Sequence, residues 1–159
     1  DFSILKTKLD ELGWKRVGLA ATVQHIKTLE EVEQFLKKAL IETSRWDNGQ
    51  ILGCNVHTIQ KAEEELDGIV SLHAGFFHTH GILLNVDTPL IQLNPYTEEI
   101  SYYGENDRQK SLQRRLAVLT NAKKAQKWGI IGSSKLGQFN MRMIEKVNTK
   151  LNEKNKKRK

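Results

Sequence analysis

A chain of 159 residues can bury about 70% of its unfolded surface as one ordinary domain, so neither a metal nor a disulfide is needed to make a core. The single cysteine, Cys54, excludes an internal disulfide and fits a reducing cytoplasm, and no apolar run approaches the ~20 residues of a membrane span, so no membrane partner is expected. Most of the net charge of +6 sits in Lys154, Lys156, Lys157, Arg158 and Lys159, a basic tail over residues 154–159 that is expected to be disordered and to touch nucleic acid only nonspecifically. The chain opens on Asp1 rather than Met, which leaves room for upstream residues.

Phe2, Leu5, Leu9 and Leu12 recur at helical spacing, and Gly13 ends that helix. Trp14 to Ala21 reads as a strand with Val17, Leu19 and Ala21 on one face and Ala20 on the other, as in a sheet covered on both sides. Thr22-Val23-Gln24-His25 is the loop beyond its carboxyl end. Thr28 with Glu31 predicts a capping box, followed by a helix face of Leu29, Val32, Phe35, Leu36, Ala39 and Leu40. Residues 43–49 read as a polar turn. Ile51 and Leu52 end a buried strand, Gly53 turns the chain, and Asn55 caps a helix with Ile59, Ala62 and Leu66 inward.

Asp67-Gly68 breaks that helix and Ile69–Leu72 forms a buried strand. His73 to Gly81, with aromatics and histidines between glycines, reads as a second loop at the functional edge, and Ile82–Leu84 as a short helix beneath it. Thr88-Pro89 opens a strand through Leu93, since proline is tolerated at a strand's first residue. Asn94-Pro95-Tyr96-Thr97 is a third loop, Ile100–Tyr103 a small edge strand, and a helix with Leu112, Leu116 and Leu119 buried runs to Lys124. Trp128–Ile131 predicts a last strand, Gly132–Gln138 a loop, and Phe139, Met143, Ile144, Val147 and Leu151 a last helix.

This alternation predicts a three-layer α/β/α fold with a mainly parallel sheet, whose ligands gather beyond the carboxyl ends of the strands. The expected organisation is a central α/β domain over residues 1–124, the first strand–helix unit of a following domain over 125–153, and the tail. His25, Cys54, His78 and Pro95 all fall in loops at that edge.

A thiol between a strand end and a helix start lies where free amides stabilise a thiolate, although spacing alone favours an inert core thiol. Cys54 with two of His25, His57, His73, His78 and His80 could bind zinc, but the spacing is not that of a compact zinc signature. Cys54 with His78 could form a nucleophile pair. The segment 132–138 lacks a P-loop's glycines and terminal Lys-Ser/Thr, yet Ser133, Ser134 and helical amides could hold a phosphate or carboxylate. Cys54 could also be one thiolate of an iron–sulfur cluster completed by another domain or subunit.

Taken in order, Gly18-Leu19-Ala20-Ala21-Thr22-Val23-Gln24-His25, then Ile51-Leu52-Gly53-Cys54-Asn55, then Phe77-His78 with Gly81, then Asn94-Pro95-Tyr96-Thr97, resembles the central domain of the diphthamide-synthesis enzyme family, with archaeal members nearest. The likeness runs from about Gly18 to Gln138, and Gly132–Gln138 resembles the start of the family's third domain. The family, 2-(3-amino-3-carboxypropyl)histidine synthase, uses S-adenosylmethionine and a 4Fe-4S cluster to transfer a 3-amino-3-carboxypropyl group to a histidine of translation elongation factor 2. The resemblance implies Cys54 as one cluster ligand, Gln24, His25, His78 and Pro95 around the central cavity, and Ser133 and Gln138 as groups that position S-adenosylmethionine. It also implies a homodimer or a heterodimer with a family subunit.

The chain departs from the family pattern: cysteines of the first and third domains have no counterparts, and the usual Phe-His-Pro-like neighbourhood reads Phe77-His78-Thr79-His80. The expectation is therefore a fragment or short paralogue without substantial activity alone. The alternative is a noncatalytic interaction module that stabilises a partner subunit.

Overall fold

The alternating side chains of the strand that opens the sheet serve two cores. Val17, Leu19 and Ala21 pack on one side against Leu5 and Leu9 of helix α1 (Ser3–Leu12) and Leu29, Val32 and Leu36 of α2 (Ile26–Lys38), whereas Ala20 joins Ile51, Val56, Ile59 and Ile82 on the other. A computed structural model describes residues 2–45, 47–52, 56, 59, 66–135 and 139–156. Two compact units divide the chain, Asp1–Arg115 and Leu116–Lys159.

The first unit holds a five-stranded sheet in the order β2-β1-β3-β4-β5, built from β1 (Arg16–Ala21), β2 (Glu42–Ser44), β3 (Gly68–Leu72), β4 (Leu90–Leu93) and β5 (Ile100–Tyr103). Every pairing is parallel except β4 with β5. Helices cover both faces, which makes a three-layer α/β/α arrangement with a mainly parallel sheet: α1 and α2 on one side, α3 (Phe76–Leu83) on the other through Ile82. All five residues of β3 and all four of β4 are buried, as strands covered on both faces must be.

Two local devices set the register. The Asp67 carboxylate accepts from the amides of Lys15 and Arg16 at 2.8 and 2.7 Å, tying the start of β1 to that of β3 and holding the acid below its usual carboxylate range. Gly68 lies under the Trp14 indole, where an added Cβ would sit 2.2 Å from ring carbons, so only glycine lets the two meet.

Several sequence expectations are corrected. Helix α2 begins at Ile26 with His25 as its N-cap, so Thr28 lies inside the first turn and makes no capping box. It ends at Lys38, and Leu40 adopts φ 60 and stands 91% exposed rather than on the buried face. The polar stretch 43–49 is in part a strand: β2 pairs with β1, because the edge of a parallel sheet asks less of side chains than its centre. Gln50 bridges Ala21 and Ile51 is buried, but Leu52 is exposed.

Residues 76–81 form the first turns of α3 rather than a loop, since Gly75 at φ 75 supplies the sharp entry and Phe76 to Leu83 contains no helix-breaking proline. Helix α4 (Glu105–Lys124) buries Ser111, but Leu116 and Leu119 are exposed, because burial on this helix stops near Leu112. In the second unit residues 128–131 form no strand; no neighbour strand is available there among the described residues, and a lone strand leaves its peptide groups unpaired. Helix α5 (Met141–Lys156) starts after Phe139, with the Asn140 side-chain oxygen accepting the Met143 amide at 3.0 Å. Gly53, Cys54, Asn55, His57, Gln138 and the end of the tail lie outside the described residues, as does most of the helix expected after Asn55. Among the described residues no helix is long and apolar enough to cross a membrane.

Candidate functional site

At the carboxyl ends of the parallel strands the backbone is stitched past the last formal pairs. The Thr22 amide donates to Leu72 and the His73 amide to Leu93, each at 3.2 Å, so the loops after β1, β3 and β4 leave the sheet side by side. Three imidazoles gather on them. His25, which closes a single helical turn at Val23–His25, packs edge-on to Tyr96 at 5.1 Å between ring centres. His73, one residue beyond β3, lies 5.3 Å from His78 on α3.

These rings are short of partners. His25 Nε2, both ring nitrogens of His73 and Nδ1 of His78 are buried without a hydrogen bond to any described residue. Burial is the main reason that His73 is pushed down to about 4; His78 and, more weakly, His25 add like-charge repulsion, while the backbone of Gly75 and Ala74 pulls the other way. Burial also lowers His78. At neutral pH His73 is thus a neutral imidazole, able to donate from one nitrogen and accept at the other.

The loop that carries His73 is held from beneath by Gln92. Its Nε2 donates to the main-chain oxygens of His73 and Gly75 at 3.2 and 3.3 Å, and its Oε1 accepts from Thr79 Oγ1 at 2.7 Å and the Tyr103 hydroxyl at 3.3 Å. Ala20, Ser71, Gln92 and Ser101 occupy one lateral row of the sheet, so the glutamine reaches the loop from the face that α3 covers. Sequence reasoning missed this residue. The available signal was a glutamine within a four-residue strand otherwise made of Leu and Ile, a polar group that burial tolerates only with partners.

The expected site residues divide as follows. His25 and His78 share this edge with His73, the residue that opens the loop after β3. Gln24, next to His25, is exposed. Pro95 starts the turn in which Asn94 Oδ1 accepts the Tyr96 amide at 3.0 Å; it also lines a cleft of about 230 Å³ with Phe2, Thr28, Glu31 and Leu93. His80 packs with Phe76 at 5.7 Å between ring centres, two residues on from His78 along α3. Ser133 belongs to the second unit, where its Oγ accepts the Lys135 amide at 3.2 Å. Cys54 and Gln138 are outside the described residues; the residues flanking the cysteine, Ile51 and Val56, are both buried in the core under α3. Among the described residues no three of His, Cys, Asp and Glu are grouped to hold a metal ion, so the histidines by themselves do not make the zinc site considered from spacing.

The geometry offers groups that can bind a polar ligand: the neutral imidazole of His73, ring nitrogens of His25 and His78 that make no hydrogen bond to a described residue, and a loop held by Gln92. Known proteins share the fold that builds it. A crystal structure of Dph2 from Pyrococcus horikoshii with a 4Fe-4S cluster matches with a TM-score of 0.75 and 26% identity, over 96% of this chain and 45% of that one. A second crystal structure of Dph2 from the same organism matches with a TM-score of 0.76 over 97% of this chain. The 2-(3-amino-3-carboxypropyl)histidine synthase of Pyrococcus horikoshii is 30% identical over 147 residues, covering 88% of this chain and 41% of that protein. Subunit 1 of the same synthase from Danio rerio is 28% identical, over 86% of this chain and 36% of the relative. The chain thus spans less than half the length of these relatives. The sequence model of the diphthamide synthesis protein family matches residues 2–159, and the chain belongs to that family.

Proposed function

We propose that this chain contributes one section of a 3-amino-3-carboxypropyl transferase that modifies a histidine of translation elongation factor 2, acting in the cytoplasm together with a family subunit. The observation that carries the reading is the set of buried imidazole nitrogens of His25, His73 and His78, none hydrogen-bonded to a side chain of a described residue, at the carboxyl edge of a parallel sheet, the edge where such folds bind ligands. Membership of the family supports the chemistry.

Cys54 is the chain's only thiol and would hold one iron of a 4Fe-4S cluster, the remaining thiolates coming from elsewhere in the assembly. When bound, such a cluster would supply the electron for reductive cleavage of S-adenosylmethionine into methylthioadenosine and a 3-amino-3-carboxypropyl radical. His73 and His78, neutral and oriented, offer donors and acceptors to a polar ligand without adding a charge that would repel its sulfonium. Gln92 keeps His73 in place, and Tyr96 fixes the plane of His25. Gln24 and Pro95 border the same loops, and Ser133 and Gln138 contribute polar groups to cofactor positioning.

Anaerobic reconstitution of the chain with iron and sulfide, alone and with a full-length family subunit, tests this. Cys54→Ala is expected to lower the iron retained by the mixture and to stop methylthioadenosine release. Unchanged iron and unchanged release reject the ligand role. A second reading, a noncatalytic module that stabilises a partner subunit, is favoured by the exposed apolar side chains of the second unit, Ile131 foremost at 98%. Stoichiometric binding that ignores Cys54 and the cofactor selects it, and no binding to any family subunit removes it.

A further inference from the structure

The charge of the chain is polarised between its two units. Asp1–Arg115 carries thirteen Lys and Arg against seventeen Asp and Glu, a net of −4, whereas Leu116–Lys159 carries twelve against two, a net of +10; together they make the +6 of the whole. Six of the thirteen cations of the first unit are paired within it: Lys6 with Asp10, Lys8 with Glu11, Lys37 and Arg45 with Glu33, Arg108 with Asp87 and Lys110 with Asp107. Two carboxylates, Glu145 and Glu153, cannot neutralise the second unit.

Helix α5 arranges part of this excess. Ile144 faces its own unit, since a Cβ on Gly132 would lie 2.6 Å from Ile144 Cδ1, and Lys154 stands over the Trp128 ring at 5.4 Å from its centre. Arg142, Lys146 and Lys150 recur every fourth residue, about 6 Å apart along the axis and more than about 100° round the helix from Ile144. All three are exposed, and none forms an ion pair within 4.0 Å with a described residue. Phe139, at the entry to the helix, is 57% exposed.

We propose that Arg142, Lys146 and Lys150 on α5 form a binding surface for the phosphate backbone of a single-stranded nucleic acid, with Phe139 available to stack on a base. Regularly spaced, unneutralised cations beside an aromatic are the elements of such a surface, and a partner of high linear charge density gains most from them. Part of the apolar side of α5 is taken up by its own unit, which favours a polyanion over insertion into a lipid surface. The surface uses no residue of the basic tail and none of the imidazole edge.

Fluorescence anisotropy of the full 159-residue chain with a labelled RNA of about 20 nucleotides, repeated across a salt series, tests the proposal. Replacing the three cations together (R142Q, K146Q and K150Q) is expected to weaken binding at least about tenfold near 0.1 M salt and to reduce the slope of log affinity against log salt by about two, at ~0.7 for each phosphate that is no longer neutralised. Replacing Lys8, Lys27 and Lys38 of the first unit with Gln is expected to change little. Glutamine is a good helix former, and circular dichroism verifies that α5 is kept. Affinity and slope unchanged in the triple variant, with binding lost on neutralising Lys156 to Lys159 alone, overturn the proposal. So does binding that depends on the three cations but is made to vesicles of about 30% phosphatidylserine and not to the RNA.

Discussion

Gln92 and His73 are joined across neighbouring strands by the glutamine's Nε2, which donates to the histidine's main-chain oxygen at 3.2 Å. The same side chain holds Gly75, Thr79 and Tyr103, so a single residue of β4 fixes the loop after β3, the entry to α3 and the edge strand. Gln92→Leu roughly keeps the volume and removes every one of these bonds, leaving the buried His73 carbonyl and the Thr79 and Tyr103 hydroxyls without that partner. The expected cost is about 3 kcal/mol in urea denaturation. Amide exchange should accelerate most at residues 73–79; a loss under about 0.5 kcal/mol with unchanged exchange would show that the clamp does not hold the loop.

The buried imidazole makes stability depend on pH. His73 titrates at about 4 in the folded chain against 6.5 as an ordinary histidine, so the unfolded chain binds the extra proton first as pH falls. Stability is full above about 6.5, declines between there and about 4, and is flat for this group below that. At about 1.4 kcal/mol per pH unit the loss is about 3 kcal/mol. His78, lowered by burial, loses stability in the same direction. Denaturation at a series of pH values, compared with His73→Phe, measures it; an equal slope in the variant excludes His73 as the source.

Gly68 and Trp14 test close packing. Gly68→Ala drives a methyl into the indole and is expected to cost about 2 to 3 kcal/mol. In a Trp14→Leu background the same substitution should cost less than half as much, because the ring it strikes is gone. Equal costs in both backgrounds would place the strain elsewhere.

Asp67 is a carboxylate whose pKa is depressed first by the Lys15 amide and then by that of Arg16. Its stabilisation is present above the ordinary value of 3.8 and is lost as pH falls through the lower folded value. Asp67→Ala should remove about 1 kcal/mol at neutral pH, a typical worth for a carboxylate accepting backbone amides at an exposed site. A salt-independent loss identifies hydrogen bonding, whereas a loss abolished by 1 M salt, where the screening length is about 3 Å, would identify the charges of Arg16 and Lys15 instead.

The alternating pattern of β1, the apolar runs of β3 and β4 and the periodic face of α2 made the α/β/α layering legible before any coordinates, because burial on two faces or one leaves a direct imprint on residue type. The candidate edge was legible in part. Motifs around His25, His78 and Pro95 pointed to it, yet Gln92 was invisible because its value lies in partners from residues 73 to 103 that only the folded sheet brings within reach. Strand status at 43–49 and its absence at 128–131 had the same origin: a strand exists where a neighbour completes its ladder, a nonlocal condition that local composition does not encode. Residue type along the chain decided the layers and the basic carboxyl-terminal stretch, since water sorts side chains one at a time; the pairing of strands and the burial of the His73 ring were decided by which distant segments came together.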